Sequence, residues 1–162
     1  MSPGPLLRAM RPHQWSKNLF VLAALVFAAG DRSADDSVLR AHGWTTLFAF
    51  LAFCLASSAV YLVNDVLDVE KDRAHPEKCK RPIPAGELSV GGAWVAACVF
   101  FGGALALAAL FGGGPANAGV LLGYGLLNLA YSTWLKRVVL VDAFCIAAGF
   151  LLRLAAGGIA AA

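Results

Sequence analysis

The chain has 162 residues, 59% of them hydrophobic and 14% charged, with a mean hydropathy of +0.70 and a formal net charge of +3. Soluble domains carry about 25% charged residues, so this balance excludes an ordinary soluble globule and indicates a polytopic membrane protein. The basic excess is small and collects at segment ends, which fits membrane topology and contact with anionic lipid and excludes a nucleic-acid-binding surface.

In chain order, the N-terminal segment holds Arg8 and then Arg11 and Lys17, the last two within the run Arg11-Pro12-His13-Gln14-Trp15-Ser16-Lys17-Asn18. It leads into a first apolar stretch, residues 15–30, shorter than the ~20 residues an α-helix needs to cross a bilayer. Lys17 and Asn18 are candidates to reach a phosphate; a plain interfacial anchor is the competing account. Residues 19–29 also have the length of a signal-peptide core, with Ala28-Ala29-Gly30 loosely resembling a cleavage site, but the polar run before them is more elaborate than a signal needs. After a short connection at 31–43 come a second span, 44–64, and a long polar connection, 65–90, expected to extend the second helix past the membrane surface and to break near His75-Pro76 and Pro82-Ile83-Pro84. Spans 91–111 and 116–135 flank a tight turn at Gly112-Gly113-Gly114-Pro115, and a fifth apolar stretch covers 138–162. The fold class is therefore all-α, a transmembrane bundle of about five spans.

Basic residues give the orientation. Arg8, Arg11 and Lys17, then Lys71, Arg73, Lys78, Lys80 and Arg81, then Lys136 and Arg137 fall on one side, which the positive-inside rule places in the cytoplasm of a plasma-membrane protein. All four Trp residues (Trp15, Trp44, Trp94 and Trp134) lie at span ends, as in an aromatic belt. The 17 Gly and many Ala allow close helix packing. Cys54, Cys79, Cys98 and Cys145 form no Cys-x-x-Cys pair and read as reduced packing residues. No internal repeat or low-complexity tract is present.

The string most suggestive of chemistry is Asn64-Asp65-Val66-Leu67-Asp68-Val69-Glu70-Lys71-Asp72. At about 100° per residue, Asp65, Asp68 and Asp72 fall within roughly 60° on one helical face. Acids at a helix C-terminus oppose the macrodipole and repel each other, so a cation is wanted. Oxygen ligands of this kind suit Mg²⁺ shared with a substrate phosphate. The bland alternative is that they merely cap a membrane helix in water. The following run, Lys78-Cys79-Lys80-Arg81, can hold phosphate oxygens, or serve topology alone. Tyr131 and Lys136, in Tyr131-Ser132-Thr133-Trp134-Leu135-Lys136-Arg137, either line the same cavity or form an aromatic-basic belt. Asp142 and Arg153 lie within the last apolar stretch, roughly 16 Å apart along the axis, so each needs some other partner.

The Asp-rich string, with His75-Pro76-Glu77-Lys78 and Arg81-Pro82-Ile83 downstream, resembles the first aspartate-rich motif of the UbiA-type intramembrane prenyltransferase superfamily. With Arg11–Asn18 and Tyr131-Ser132-x-x-Leu135-Lys136, it is most similar to the decaprenyl-phosphate phosphoribosyltransferase branch. The resemblance implies Mg²⁺-dependent transfer of 5-phosphoribose from phosphoribosyl diphosphate to a polyprenyl phosphate, for cell-wall arabinan precursors. Asp65, Asp68 and Asp72 would be the metal ligands and catalytic residues, with Lys17, Asn18, Asn64, Arg73, Lys80, Arg81, Tyr131 and Lys136 binding substrate. Two rivals stand: a UbiA-type enzyme taking a prenyl diphosphate donor and an aromatic or other acceptor, and a non-catalytic membrane subunit. The superfamily has about twice as many helices, with a second aspartate-rich motif in the other half. The chain is thus expected to be an N-terminal half, inactive alone and completed by a C-terminal half or another copy.

Overall fold

The computed structural model describes residues 3–30, 36–135 and 139–162, and every regular element among them is helical. Helix α1 (Pro3–Met10) lies against the bundle with Ala9 and Met10 buried. The chain then turns at Arg11, whose φ of 53° and ψ of 59° are left-handed. Pro12 disfavours the ordinary helical conformation for the residue before it, so α1 cannot run on.

The expected first span is not a continuous α-helix. Pro12–Leu22 winds as a 3-10 helix and only Ala23–Gly30 (α2) is α-helical. At ~2.0 Å rise per 3-10 residue and ~1.5 Å per α residue, the two pieces together extend roughly 34 Å. Residues 15–30 themselves come to roughly 28 Å, against roughly 24 Å as a continuous α-helix.

Helix α3 (Asp36–Leu67) is the central element, longer at both ends than the sequence indicates. It presents Ala49, Ala52, Ala56 and Ala59, all buried, to its neighbours. Its buried hydroxyls return to its own carbonyls: Thr46 donates to His42 O at 2.7 Å and Ser58 to Cys54 O at 2.8 Å. That self-satisfaction lets polar side chains sit inside an apolar span.

After α3 the polar connection is made of short pieces: α4 (Val69–Arg73), a 3-10 turn (Lys78–Lys80), then a series of turns from Arg81 to Leu88. Helical winding thus runs on past residue 64 to Arg73, with a break at Asp68, and ends before His75-Pro76. Ile83 and Leu88 are buried in one cluster with Leu62, Val66 and Ala93, and Leu88 N donates to Pro82 O at 3.0 Å. Ser89 caps α5 (Val90–Phe111) by accepting from Gly92 N at 3.1 Å. The glycine turn falls as expected, with Gly113 at φ 103° before α6 (Gly114–Thr133).

Helix α7 (Val139–Ala160) closes the described bundle against the 3-10 segment and α6. Gly157 makes that approach possible, since a Cβ there would stand 2.0 Å from Val21 O. Phe53 and Tyr124 meet across the centre with ring centroids 5.5 Å apart.

By length and composition, Arg40–Leu67, Val90–Phe111 and Leu140–Ala160 can each cross a membrane. Helix α6 has a similar length but carries Asn117, Tyr124 and Asn128 and is less apolar. Outward-facing Phe27, Leu110, Phe144 and Leu140 give the bundle the apolar exterior that lipid requires.

The packing at Gly157 yields a paired prediction. Gly157→Ala should destabilise the detergent-solubilised bundle by about 1–3 kcal/mol through overpacking against backbone. Gly158→Ala, which meets nothing within 4 Å, should leave the thermal midpoint unchanged. Equal midpoints for both variants would contradict the contact.

Candidate active site

Asn64 and Asp65 sit in the last turn of α3, and the helix breaks at Asp68 (φ −100°, ψ 10°). The backbone ladder continues through the break, with Asp68 N donating to Asn64 O at 3.0 Å and Asp72 N to Asp68 O at 2.8 Å. Asp65 and Asp72 are thereby turned inward, each 2% exposed.

Arg81 bridges them. Its Nη1 donates to Asp65 Oδ1 at 3.2 Å and to Asp72 Oδ2 at 2.6 Å. The extended backbone at Arg81 (φ −67°, ψ 150°) and the burial of Ile83 two residues on hold the guanidinium in place. Arg11 reaches Asp65 from the opposite side, Nη2 to Oδ1 at 2.5 Å, while its guanidinium lies 4.9 Å from the centre of the Tyr61 ring. Lys78 Nζ stands 3.9 Å from Asp72 Oδ1. Three cations against two carboxylates leave one positive charge in excess, a surround suited to an incoming polyanion.

Of the three expected carboxylates, Asp65 and Asp72 are buried and Asp68 is less so. Asp68 lies at the kink with its side chain 30% exposed, and Lys71 Nζ is 3.7 Å away. Among the described residues, no three His, Cys, Asp or Glu side chains are grouped closely enough to hold a metal ion by themselves. Asp65 and Asp72 nevertheless offer hard oxygens converging on one cationic nitrogen. Two carboxylates completed by substrate phosphates are a donor set of the kind Mg²⁺ takes.

Other expected site residues are placed as follows. Arg73 pairs with Glu70 at 2.7 Å and Lys80 with Glu77 at 3.8 Å, both exposed, each with an acid three residues before it. Asn18 is fully buried and does not face the acids. It donates to Ser57 Oγ at 3.2 Å and accepts from Arg153 Nε at 2.8 Å. Asn64 accepts from Ser132 Oγ and borders an apolar cavity of about 520 Å³ between α3, α5 and α6, with Trp94 and Phe101 on its wall. Lys17 and Tyr131 line a second cavity, of about 170 Å³, and Tyr131 Oη donates to Asp142 Oδ1 at 2.5 Å. Lys136 lies outside the described residues. Arg11 joins the acids unexpectedly; its signal in the sequence is the Arg11-Pro12 step, which turns the chain back over Asp65.

A helical membrane bundle with buried acids and bases gathered at one end of its central helix defines the class. The UbiA prenyltransferase family model matches residues 18–162, and the chain belongs to that family. It is 40% identical over 156 residues to the decaprenyl-phosphate phosphoribosyltransferase of Corynebacterium glutamicum, covering 96% of this chain and 46% of that protein. The protein of the same name from Mycolicibacterium smegmatis is 43% identical over 156 residues, with 96% and 48% covered. A UbiA homolog from Archaeoglobus fulgidus, solved bound to GPP and Mg²⁺, superposes with a TM-score of 0.73 at 25% identity, covering 98% of this chain and 54% of that one. The chain spans about half the length of the curated relatives it matches.

Removing the bridge should be costly. Arg81→Gln leaves two buried carboxylates facing each other and should lower stability by about 2 kcal/mol, less than a fully buried pair because Arg81 is partly solvated. Adding Asp72→Asn should recover part of the loss in a thermal melt. No recovery would contradict the bridge.

Proposed function

We propose that the chain contributes the diphosphate-binding centre of a polyprenyl-phosphate phosphoribosyltransferase, oriented toward the cytoplasm in a plasma-membrane bundle to which its five apolar stretches supply the spans. The observation that carries this reading is the buried pair Asp65 and Asp72 ringed by Arg81, Arg11 and Lys78. It is supported by relatives named decaprenyl-phosphate phosphoribosyltransferase and by a structural neighbour holding a diphosphate ester and Mg²⁺.

In this reading Asp65 and Asp72 would hold Mg²⁺ together with the diphosphate of phosphoribosyl diphosphate; the metal supplies charge compensation for the leaving group. Arg81 and Lys78 bind diphosphate oxygens from the loop side, and Arg11 does so from the first helical segment. The bond from the anomeric carbon to diphosphate breaks as a lipid phosphate oxygen bonds to that carbon. Such an oxygen is ionised near neutral pH, so no dedicated general base is needed. The 520 Å³ apolar cavity beside Asn64 suits an isoprenoid chain close to these charges. Asp68 acts at the kink, and Arg73 and Lys80 attract anions from the surface rather than touching the donor.

A second reading keeps the same centre but takes a prenyl diphosphate as donor, favoured by the GPP bound in the structural neighbour. Binding of labelled phosphoribosyl diphosphate to membranes containing the protein separates the two. The first reading expects binding that chelator abolishes, that geranyl diphosphate does not displace, and that Asp65→Asn or Asp72→Asn weakens about a hundredfold, the ~3 kcal/mol of a buried charge contact. Displacement by geranyl diphosphate at low concentration would support the second reading. Chelator-resistant binding would overturn both.

A further inference from the structure

Arg153 is a charge in an unusual place. It sits on α7, 7% exposed, and its hydrogen-bond acceptors among the described residues are all neutral. Nε donates to Asn18 Oδ1 at 2.8 Å, Nη1 to Gly149 O at 2.7 Å and Nη2 to the Tyr124 hydroxyl at 3.1 Å. The rings of Tyr124, Phe150 and Phe53 lie 4.9, 5.7 and 5.9 Å from the guanidinium carbon. None of the ion pairs among the described residues includes it. A guanidinium has five N–H donors, so three acceptors leave two to spare. A buried cation within a membrane bundle is expensive unless an anion meets it.

The second cavity opens beside this side chain. Its wall includes Lys17, Tyr61, Asn128 and Tyr131, but no acidic residue. Asp142 is present only behind Tyr131, whose hydroxyl it already accepts. At about 170 Å³ the cavity is too small for a whole ligand of ordinary size (~300 Å³ or more) yet large enough for one compact anionic group. Tyr61 forms part of this wall and also lies beneath Arg11, so the cavity and the carboxylate centre share a side. Along α3, Ser57, which accepts from Asn18, precedes Asp65 by roughly 12 Å.

We infer that this cavity is a phosphate-monoester site, with Arg153 as its buried cation and Lys17 as its entrance cation, separate from the diphosphate centre at Asp65 and Asp72. The inference rests on the phosphoribosyltransferase reading only for the origin of the monoester. The same chemistry belongs to the 5-phosphate of the donor and to the headgroup of a polyprenyl phosphate. Asn18 is a positioning residue: it fixes the guanidinium so that the two free N–H groups point toward the cavity.

Cys145 lines the same cavity and reports on it directly. The full chain in lipid nanodiscs is alkylated with N-ethylmaleimide and labelling of Cys145 is followed by peptide mass spectrometry, with Cys79 of the polar loop as internal reference. Ribose 5-phosphate or farnesyl phosphate should slow labelling of Cys145 relative to Cys79. Protection by the first assigns the site to the donor; protection by the second alone assigns it to the lipid headgroup. Lys17→Gln, at an exposed position, and Arg153→Gln should each raise the protecting concentration about tenfold, as expected for one charge-assisted contact. Absence of protection by either compound, or protection unchanged in Lys17→Gln, would overturn the site. Protection by farnesyl phosphate without Mg²⁺-dependent binding of phosphoribosyl diphosphate would sink the phosphoribosyl reading and leave this site standing.

Discussion

Two carboxylates buried at the end of a membrane helix cannot remain ionised without cations held close, and much of the polar half of this bundle is arranged to provide them. Asp65 and Asp72 share one nitrogen of Arg81. To put Arg81 there, the loop must fold back, and the burial of Ile83 and Leu88 gives it an apolar reason to do so. To put Arg11 there, the chain must accept a left-handed turn before Pro12, a strain of about 1–3 kcal/mol that persists only where surrounding contacts demand it. The electrostatics of one site thus dictates the path of both segments that flank the central helix.

A second polar clamp runs deeper. Asn18, on the 3-10 segment, ties Ser57 of α3 to Arg153 of α7, while Arg153 also reaches Tyr124 of α6. Four elements meet through these side chains. In lipid there is little hydrophobic drive to bring helices together, so close packing of small residues and such hydrogen bonds take that role. The two clamps differ in one respect: the first contains its own anions, whereas Arg153 has only neutral acceptors among the described residues. That asymmetry is the reason to look for an anionic ligand at the second.

Much of the architecture could be read from hydropathy and turn chemistry. The helices α5, α6 and α7 and the glycine turn at Gly112-Gly113-Gly114-Pro115 follow from local rules. The expectation that Asp142 and Arg153 find partners other than each other agrees with the contacts of Tyr131 and Asn18. What escaped was tertiary. A helical wheel places Asp68 with Asp65 and Asp72, but does not show the helix break that falls at Asp68. Sequence spacing does not say that Arg73 and Lys80 will each take the acid three positions before them, or that Arg11 will cross to Asp65. Nor does hydropathy distinguish a 3-10 segment, as in Pro12–Leu22, from an α-helix.

The account centres on Asp65 and Asp72 acting together with an incoming diphosphate to hold a divalent cation. Retention of Mn²⁺ by protein-loaded nanodiscs in equilibrium dialysis, with and without inorganic diphosphate, tests that most directly. The account predicts that Mn²⁺ is retained stoichiometrically with the wild-type chain when diphosphate is present, and that the Asp65→Asn, Asp72→Asn double variant retains none. Equal retention by the double variant would contradict it.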